Sequence, residues 1–135
     1  MKIWAAQALS GGRSIDLGLL QLRLAYNPGV AFSLGANLPS WIVLTATALV
    51  TAGLAVYAWR AAATATRIVR LGLAAVLAGA IANLLDRGFD GVVTDYLHTG
   101  WWPTFNLADT LITCGGALLI LATLHPTPAS ASERR

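Results

Sequence analysis

Residues 41–59 read Trp-Ile-Val-Leu-Thr-Ala-Thr-Ala-Leu-Val-Thr-Ala-Gly-Leu-Ala-Val-Tyr-Ala-Trp. Thr45, Thr47 and Thr51 are the small polar residues of this run, and no charge interrupts it. Nineteen residues wound as a helix reach about 28 Å at 1.5 Å per residue, which matches the roughly 30 Å of a bilayer's hydrocarbon core. A tryptophan stands at each end, Trp41 and Trp59, where amphipathic rings sit best at the membrane–water boundary. The stretch therefore predicts a transmembrane helix.

Outward from this span, the same pattern returns twice. Residues 24–59, 71–85 and 110–132 carry no charged side chain. Only 11% of the 135 residues are charged and 56% are hydrophobic, with a mean hydropathy of +0.65. Soluble domains carry roughly 25% charged residues, so a soluble domain is excluded, as is a disordered chain. A second span is predicted at 68–85, where Gly72, Ala75, Gly79 and Ala82 recur at helical spacing and permit close helix contact. A third is predicted at 107–124. Within lipid the backbone must satisfy its own hydrogen bonds, so all three are expected as helices.

Arg60, Arg67 and Arg70 lie between the first two spans, and Arg134 and Arg135 close the chain. Basic loops stay on the cytoplasmic side, so residues 1–39 and the loop 86–106 face the opposite side. In the first of these, Leu20, Leu22 and Leu24 alternate with Gln21 and Arg23, the period of a half-buried strand at the membrane surface. Asn27-Pro28-Gly29 reads as a tight turn. The expected fold is an all-α polytopic membrane protein with a small N-terminal β-like segment. It forms a single domain over 1–124, followed by a disordered cytoplasmic tail at 125–135. Cys114 lies within the third span and is read as helix packing; His98 and His125 have no neighbouring Cys or Glu, which argues against a zinc site.

Ionisable groups beside a lipid-facing segment are costly and hence functional candidates. Five of the six acids are aspartates, and four of these fall at Asp86, Asp90, Asp95 and Asp109. Asn83, Asp86, Arg87 and Asp90 share one helical face. An amide, acids and a base there can satisfy one another and fix the helix end, a structural reading that takes precedence for Asp86 and Arg87. Asp95 sits in the apolar run Val92-Val93-Thr94-Asp95-Tyr96, and Asp109 begins the third span. A returning loop can bring the two together, and carboxylates sharing a dry site hold one proton between them, the condition for general acid–base work on water. Equally, an acid at a helix start is a favourable cap. Asn27 is likewise open to two readings, turn chemistry or an amide presented to an extended peptide.

Three blocks, taken in order, resemble the bacterial lipoprotein signal peptidase family (signal peptidase II), an intramembrane aspartic protease. Asn27-Pro-Gly29-Val-Ala31-Phe32-Ser33 resembles the family's Asn-x-Gly-x-Ala-Phe-Ser. Gly79-Ala-Ile-Ala-Asn83-Leu-Leu-Asp86-Arg87, followed by Gly91-Val-Val-Thr-Asp95-Tyr96, resembles its Asn-x-x-Asp-Arg block and the Val-Val-Asp-Phe after it. Phe105-Asn106-Leu-Ala108-Asp109 resembles Phe-Asn-x-Ala-Asp. The resemblance implies that Asp95 and Asp109 are the catalytic pair, with Asn27, Gly29, Phe32, Asn83, Asp86, Arg87 and Asn106 as supporting or substrate-positioning groups. It further implies cleavage of prolipoproteins before a diacylglyceryl-bearing cysteine, without metal or cofactor, in the bacterial cytoplasmic membrane among its lipids, and inhibition by globomycin. Ala82, Thr94 and Tyr96 depart mildly from the family pattern. Family members usually open with a further helix ending in Asp-Gln-x-x-Lys; Lys2 stands where that block ends, so the resemblance implies a chain one helix short. The competing expectations are a non-catalytic, shortened paralogue that binds lipidated peptides or partner helices, and, more weakly, a small transporter or channel subunit.

Overall fold

The computed structural model describes residues 1–29, 35 and 37–124. The readings made for Phe32 and for the tail at 125–135 lie outside the described residues. Among the described residues, three helices are long and apolar enough to cross a membrane: α2 (Ser40–Ala61), α3 (Arg67–Asp90) and α4 (Leu107–Leu124). A short helix, α1 (Lys2–Ala8), precedes them, as do strands β1 (Ser14–Asp16) and β2 (Gln21–Asn27); β3 (Val93–His98) joins α3 to α4.

α3 is the central helix, packed most extensively on α4 and less on α2. Thr66 starts it by accepting the Val69 N–H on its hydroxyl, and Gly91 ends it in the left-handed conformation, φ 73°. The seam with α4 is close because glycines face it. A Cβ placed on Gly115 would lie 2.7 Å from the Gly72 carbonyl oxygen, nearer than any side chain tolerates. One on Gly79 would strike the Ala108 carbonyl oxygen and, at 2.8 Å, Ile112. The small residues read in the second span thus act where backbones meet. On the outward faces Leu49, Val56, Ile120 and Leu121 are exposed, an apolar surface suited to lipid.

The strands form one antiparallel sheet in the order β1-β2-β3. Ile15 pairs with Leu22 and Ala25 with Asp95, with a bulge between Leu22 and Ala25. Ala5, Leu9 and Tyr96 are buried together, with Leu22, Leu24 and Leu97 packed on them. α1 thereby lies across the sheet and closes a small core at one end of the helix bundle.

Several boundaries differ from the sequence expectation. The alternating segment around 14–24 is two strands, because Asp16 accepts the Gly18 N–H at 2.8 Å and turns the chain between them. α1 was not expected at all; seven residues carry too weak a period to announce a helix, and its one buried residue is Ala5. The segment 86–106, read as a loop, holds the last turn of α3 and the whole of β3. α3 runs past Leu85 because Asn83, Asp86 and Arg87 find partners on other elements, which removes the reason for the helix to stop at its first charges.

Candidate active site

The start of α4 is built by a reciprocal cap. Asn106, fully buried, accepts the Ala108 and Asp109 N–H groups on Oδ1 at 2.7 and 3.2 Å. Asp109 returns the bond by accepting the Asn106 N–H on Oδ2 at 3.0 Å. A capping pair of this kind satisfies otherwise orphaned donors of the first turn. The capping reading of Asp109 is therefore realised, and only one oxygen is used for it. The other, Oδ1, accepts from the Asn83 amide at 2.8 Å, so the same carboxylate also faces α3.

Asp95 comes from β3. Its Oδ1 accepts the Asn106 amide at 2.6 Å, so one buried asparagine contacts both aspartates, through its amide and through its backbone N–H. Asp95 is 3% exposed. That burial pushes its carboxyl up from 3.8 to about 6; the Asn106 hydrogen bond opposes the rise, the charge of Asp109 adds to it, and Lys2 and an Asn27 hydrogen bond lower it. The loop return expected from the sequence does bring the two carboxylates into one polar network.

The face Asn83–Asp86–Arg87 behaves differently from the expectation of mutual satisfaction. Asn83 accepts on Oδ1 from Lys2 at 2.8 Å and from Asn106 at 3.2 Å. Asp86 Oδ2 accepts from Lys2 at 3.0 Å and from the backbone N–H of Thr94 at 2.6 Å. Arg87 donates through Nη2 to the Gly29 carbonyl, while its buried Nε has no partner among the described residues. The side chains thus reach outward to other elements: Asn83 to α1 and the start of α4, Asp86 to α1 and β3, and Arg87 to the turn after β2. Asp90, the fourth of the set, is exposed at the end of α3. The reason lies in tertiary structure: α1 and the sheet supply partners that a lone helix lacks.

Asn27 closes its own turn, accepting the Gly29 N–H at 3.0 Å, and also contributes to the environment of Asp95. The turn reading of Asn27 is thus realised in its contacts. Gly29 is held by its carbonyl on Arg87. Sequence reasoning missed Thr94, whose N–H anchors Asp86, and Tyr96, whose hydroxyl accepts the Leu107 N–H at 3.4 Å. Backbone donors leave no sequence signal, and a buried tyrosine signals only that its hydroxyl needs a partner.

A cleft of about 650 Å³ opens onto this network. Asn27, Asn83, Arg87, Asp95 and Asp109 line its polar side, and Ala46, Val50, Ile112 and Trp102 line its apolar side. Thr47 and Thr51 border it too, their hydroxyls donating to Val43 and Thr47 carbonyls at 2.8 and 2.7 Å. Acid–base groups at one wall and a hydrocarbon-like surface at the other suit a substrate with a polar reacting bond and an apolar appendage.

Residues 1–125 match the family model described as signal peptidase (SPase) II. The chain is 43% identical over 112 residues to the lipoprotein signal peptidase of Syntrophomonas wolfei, covering 83% of this chain and 73% of that one. It is 39% identical over 132 residues to that of Rhodococcus jostii, covering 91% of this chain and 64% of that one. The fold is shared with two solved bacterial membrane enzymes. One has a TM-score of 0.83 at 22% identity, covering 99% of this chain and 84% of that one. The other has a TM-score of 0.75 at 24% identity, covering 93% and 84%. With its three apolar helices and its aspartate-bearing cleft, the chain belongs to the signal peptidase II family, a family of peptidases.

Proposed function

We propose that the chain removes signal peptides from diacylglyceryl-modified prolipoproteins, cleaving before the lipidated cysteine with Asp95 and Asp109 as an acid–base pair. The observation that carries this reading is Asn106, which donates to Asp95 through its amide and to Asp109 through its backbone N–H. Two carboxylates so joined share one proton when only one ionises. The ionised member takes a proton from water as the water oxygen attacks the scissile carbonyl. The protonated member hydrogen-bonds to that carbonyl oxygen. As the C–N bond breaks, a proton passes to the departing amine, and a new carboxyl group and a free amino group result. The pair exchanges acid and base roles across the cycle.

The remaining groups position the substrate. The Nε of Arg87, without a partner among the described residues, can donate to a peptide carbonyl, and its Nη2 holds the Gly29 carbonyl. Asn27 lies at the cleft wall and Phe32 belongs to the same segment. The lipid lies along the apolar side beside Val50 and Ile112, between the helices. The positive-inside pattern of Arg60, Arg67 and Arg70 supports an extracytoplasmic site in the bacterial cytoplasmic membrane.

The test is incubation of the purified chain in nanodiscs with a prolipoprotein peptide, with and without the diacylglyceryl group, and mass analysis of the products. The lipidated peptide is cleaved once, before its cysteine, and globomycin blocks the cleavage. Binding of the lipidated peptide or of globomycin with no product would replace this reading with that of a non-catalytic binding protein.

A further inference from the structure

Lys2 sits off the cleft that holds the aspartates, yet two of its bonds end on groups that hold them. Its ammonium donates to Asn83 Oδ1 at 2.8 Å and to Asp86 Oδ2 at 3.0 Å, with one-fifth of the lysine side chain exposed. An ammonium has donors and no acceptor, so the group that Asn83 turns toward it must be the amide oxygen. The Asn83 nitrogen is then left to donate to Asp109 Oδ1. Without Lys2 the Asn83 oxygen keeps only the longer bond from the Asn106 amide, at 3.2 Å, and its orientation toward Asp109 is held less firmly. The second contact acts on β3: Asp86 Oδ2, held by Lys2, also accepts the N–H of Thr94, the residue before Asp95. One cation thus bears on both aspartates by separate routes.

We propose that Lys2 is a positioning residue for the catalytic pair, fixing through Asn83 the amide aimed at Asp109 and through Asp86 the strand that carries Asp95. The proposal rests on the peptidase reading of the cleft. Charge adds a second handle. Asp95 faces Lys2 from α1, Asp109 from α4 and Arg87 from α3, with Asn27 contributing a hydrogen bond from β2. Of the two cations, Lys2 is the more exposed, and it lowers the carboxyl of Asp95.

Lys2→Met removes the charge and keeps most of the stem; Lys2→Gln keeps an amide donor for Asn83; Lys2→Arg keeps the charge. With the lipidated peptide, Lys2→Met is expected to lower kcat about tenfold with KM within about twofold, the pattern of a lost transition-state arrangement. Loss of the cation moves the basic limb of the activity profile, which reports proton loss from the pair, upward by about half a pH unit. Lys2→Arg restores the limb. In parallel, the 13C-carboxyl titration of Asp95, identified by its loss in Asp95→Asn, moves to higher pH in both Lys2→Met and Lys2→Gln. An Asp95 titration unmoved in either variant overturns the proposal, as does a wild-type limb in Lys2→Met. Absence of cleavage by the unsubstituted chain counts against the peptidase reading alone, since the carboxyl titration needs no turnover.

Discussion

The seam between α3 and α4 has two halves that are held together in opposite ways. Deep in the bundle, Gly72 meets Gly115 and Gly79 meets Ala108 at backbone distance, with Leu119, Val76 and Ile112 packed against the glycines. One turn beyond Gly79, Asn83 meets Asp109 and Asn106 through hydrogen bonds, and the contact is almost entirely polar. Lipid gives helices no hydrophobic reason to associate, so the deep half depends on the close approach that small residues permit. The end half depends on every polar group finding a partner, since an unpaired one in low dielectric is expensive. The comparison teaches that the two are coupled. Asn83 reaches Asp109 because Gly79 lets the first turn of α4 come within backbone distance.

That coupling can be broken from either half. Gly79→Leu puts a branched side chain where the Ala108 carbonyl and Ile112 lie. It is expected to reduce turnover of the lipidated peptide by about 10²-fold or more, since misplacement by about 1 Å costs that much, and to lower accumulation in membranes. Gly88→Ala, whose Cβ meets nothing within 4 Å, leaves both unchanged. Asn106→Ser is milder. Serine still caps α4, but the amide that serves Asp95 and Asn83 is gone, so thermal stability falls as buried acceptors lose a partner; turnover of the folded fraction is expected to drop about tenfold or more, read as kcat at saturating peptide. Gly72→Ala acts on the deep half alone. It crowds Leu119 and the Gly115 carbonyl, at 2.9 and 3.0 Å, and is expected to lower the unfolding temperature while the folded fraction keeps its activity within about twofold. The smallest change is read on the Asp95 carboxyl alone and is electrostatic. Asp109→Asn removes a negative neighbour, so the carboxyl of Asp95 titrates below its present value of about 6. Asp95 is then ionised over a wider range, and its 13C-carboxyl midpoint moves to lower pH.

The spans were legible because lipid imposes one rule on every residue in them, absence of charge over the length of a bilayer. The third span, 107–124, coincides with α4, and the first falls within α2. The small-residue stripe of the second was legible for the same reason. The end of α3 was not, because Asn83, Asp86 and Arg87 are satisfied by Lys2, Thr94 and Gly29, residues 8 to 84 positions away. No local pattern carries such pairings. For Asp109 the two readings, cap and acid, were left open by spacing alone; the structure realises the cap through the Asn106 N–H and turns the other oxygen toward Asn83. The sheet was half legible. Alternating leucines marked β2, while β3 was hidden in a segment whose Val-Val-Thr-Asp-Tyr run is buried from Val93 to Tyr96 and shows no alternation.

On the proposed mechanism Asp95 and Asp109 act as one catalytic unit assembled through Asn106. A mutant cycle tests it most directly: turnover of the lipidated peptide by Asp95→Asn, Asp109→Asn and the double variant, each normalised to folded protein in nanodiscs. Residues that work as a unit are not additive. Each single change is expected to lower kcat by about 10³-fold or more, and the double variant to be no slower than either. Losses that add in the double variant, or substantial turnover by either single one, would contradict the pair.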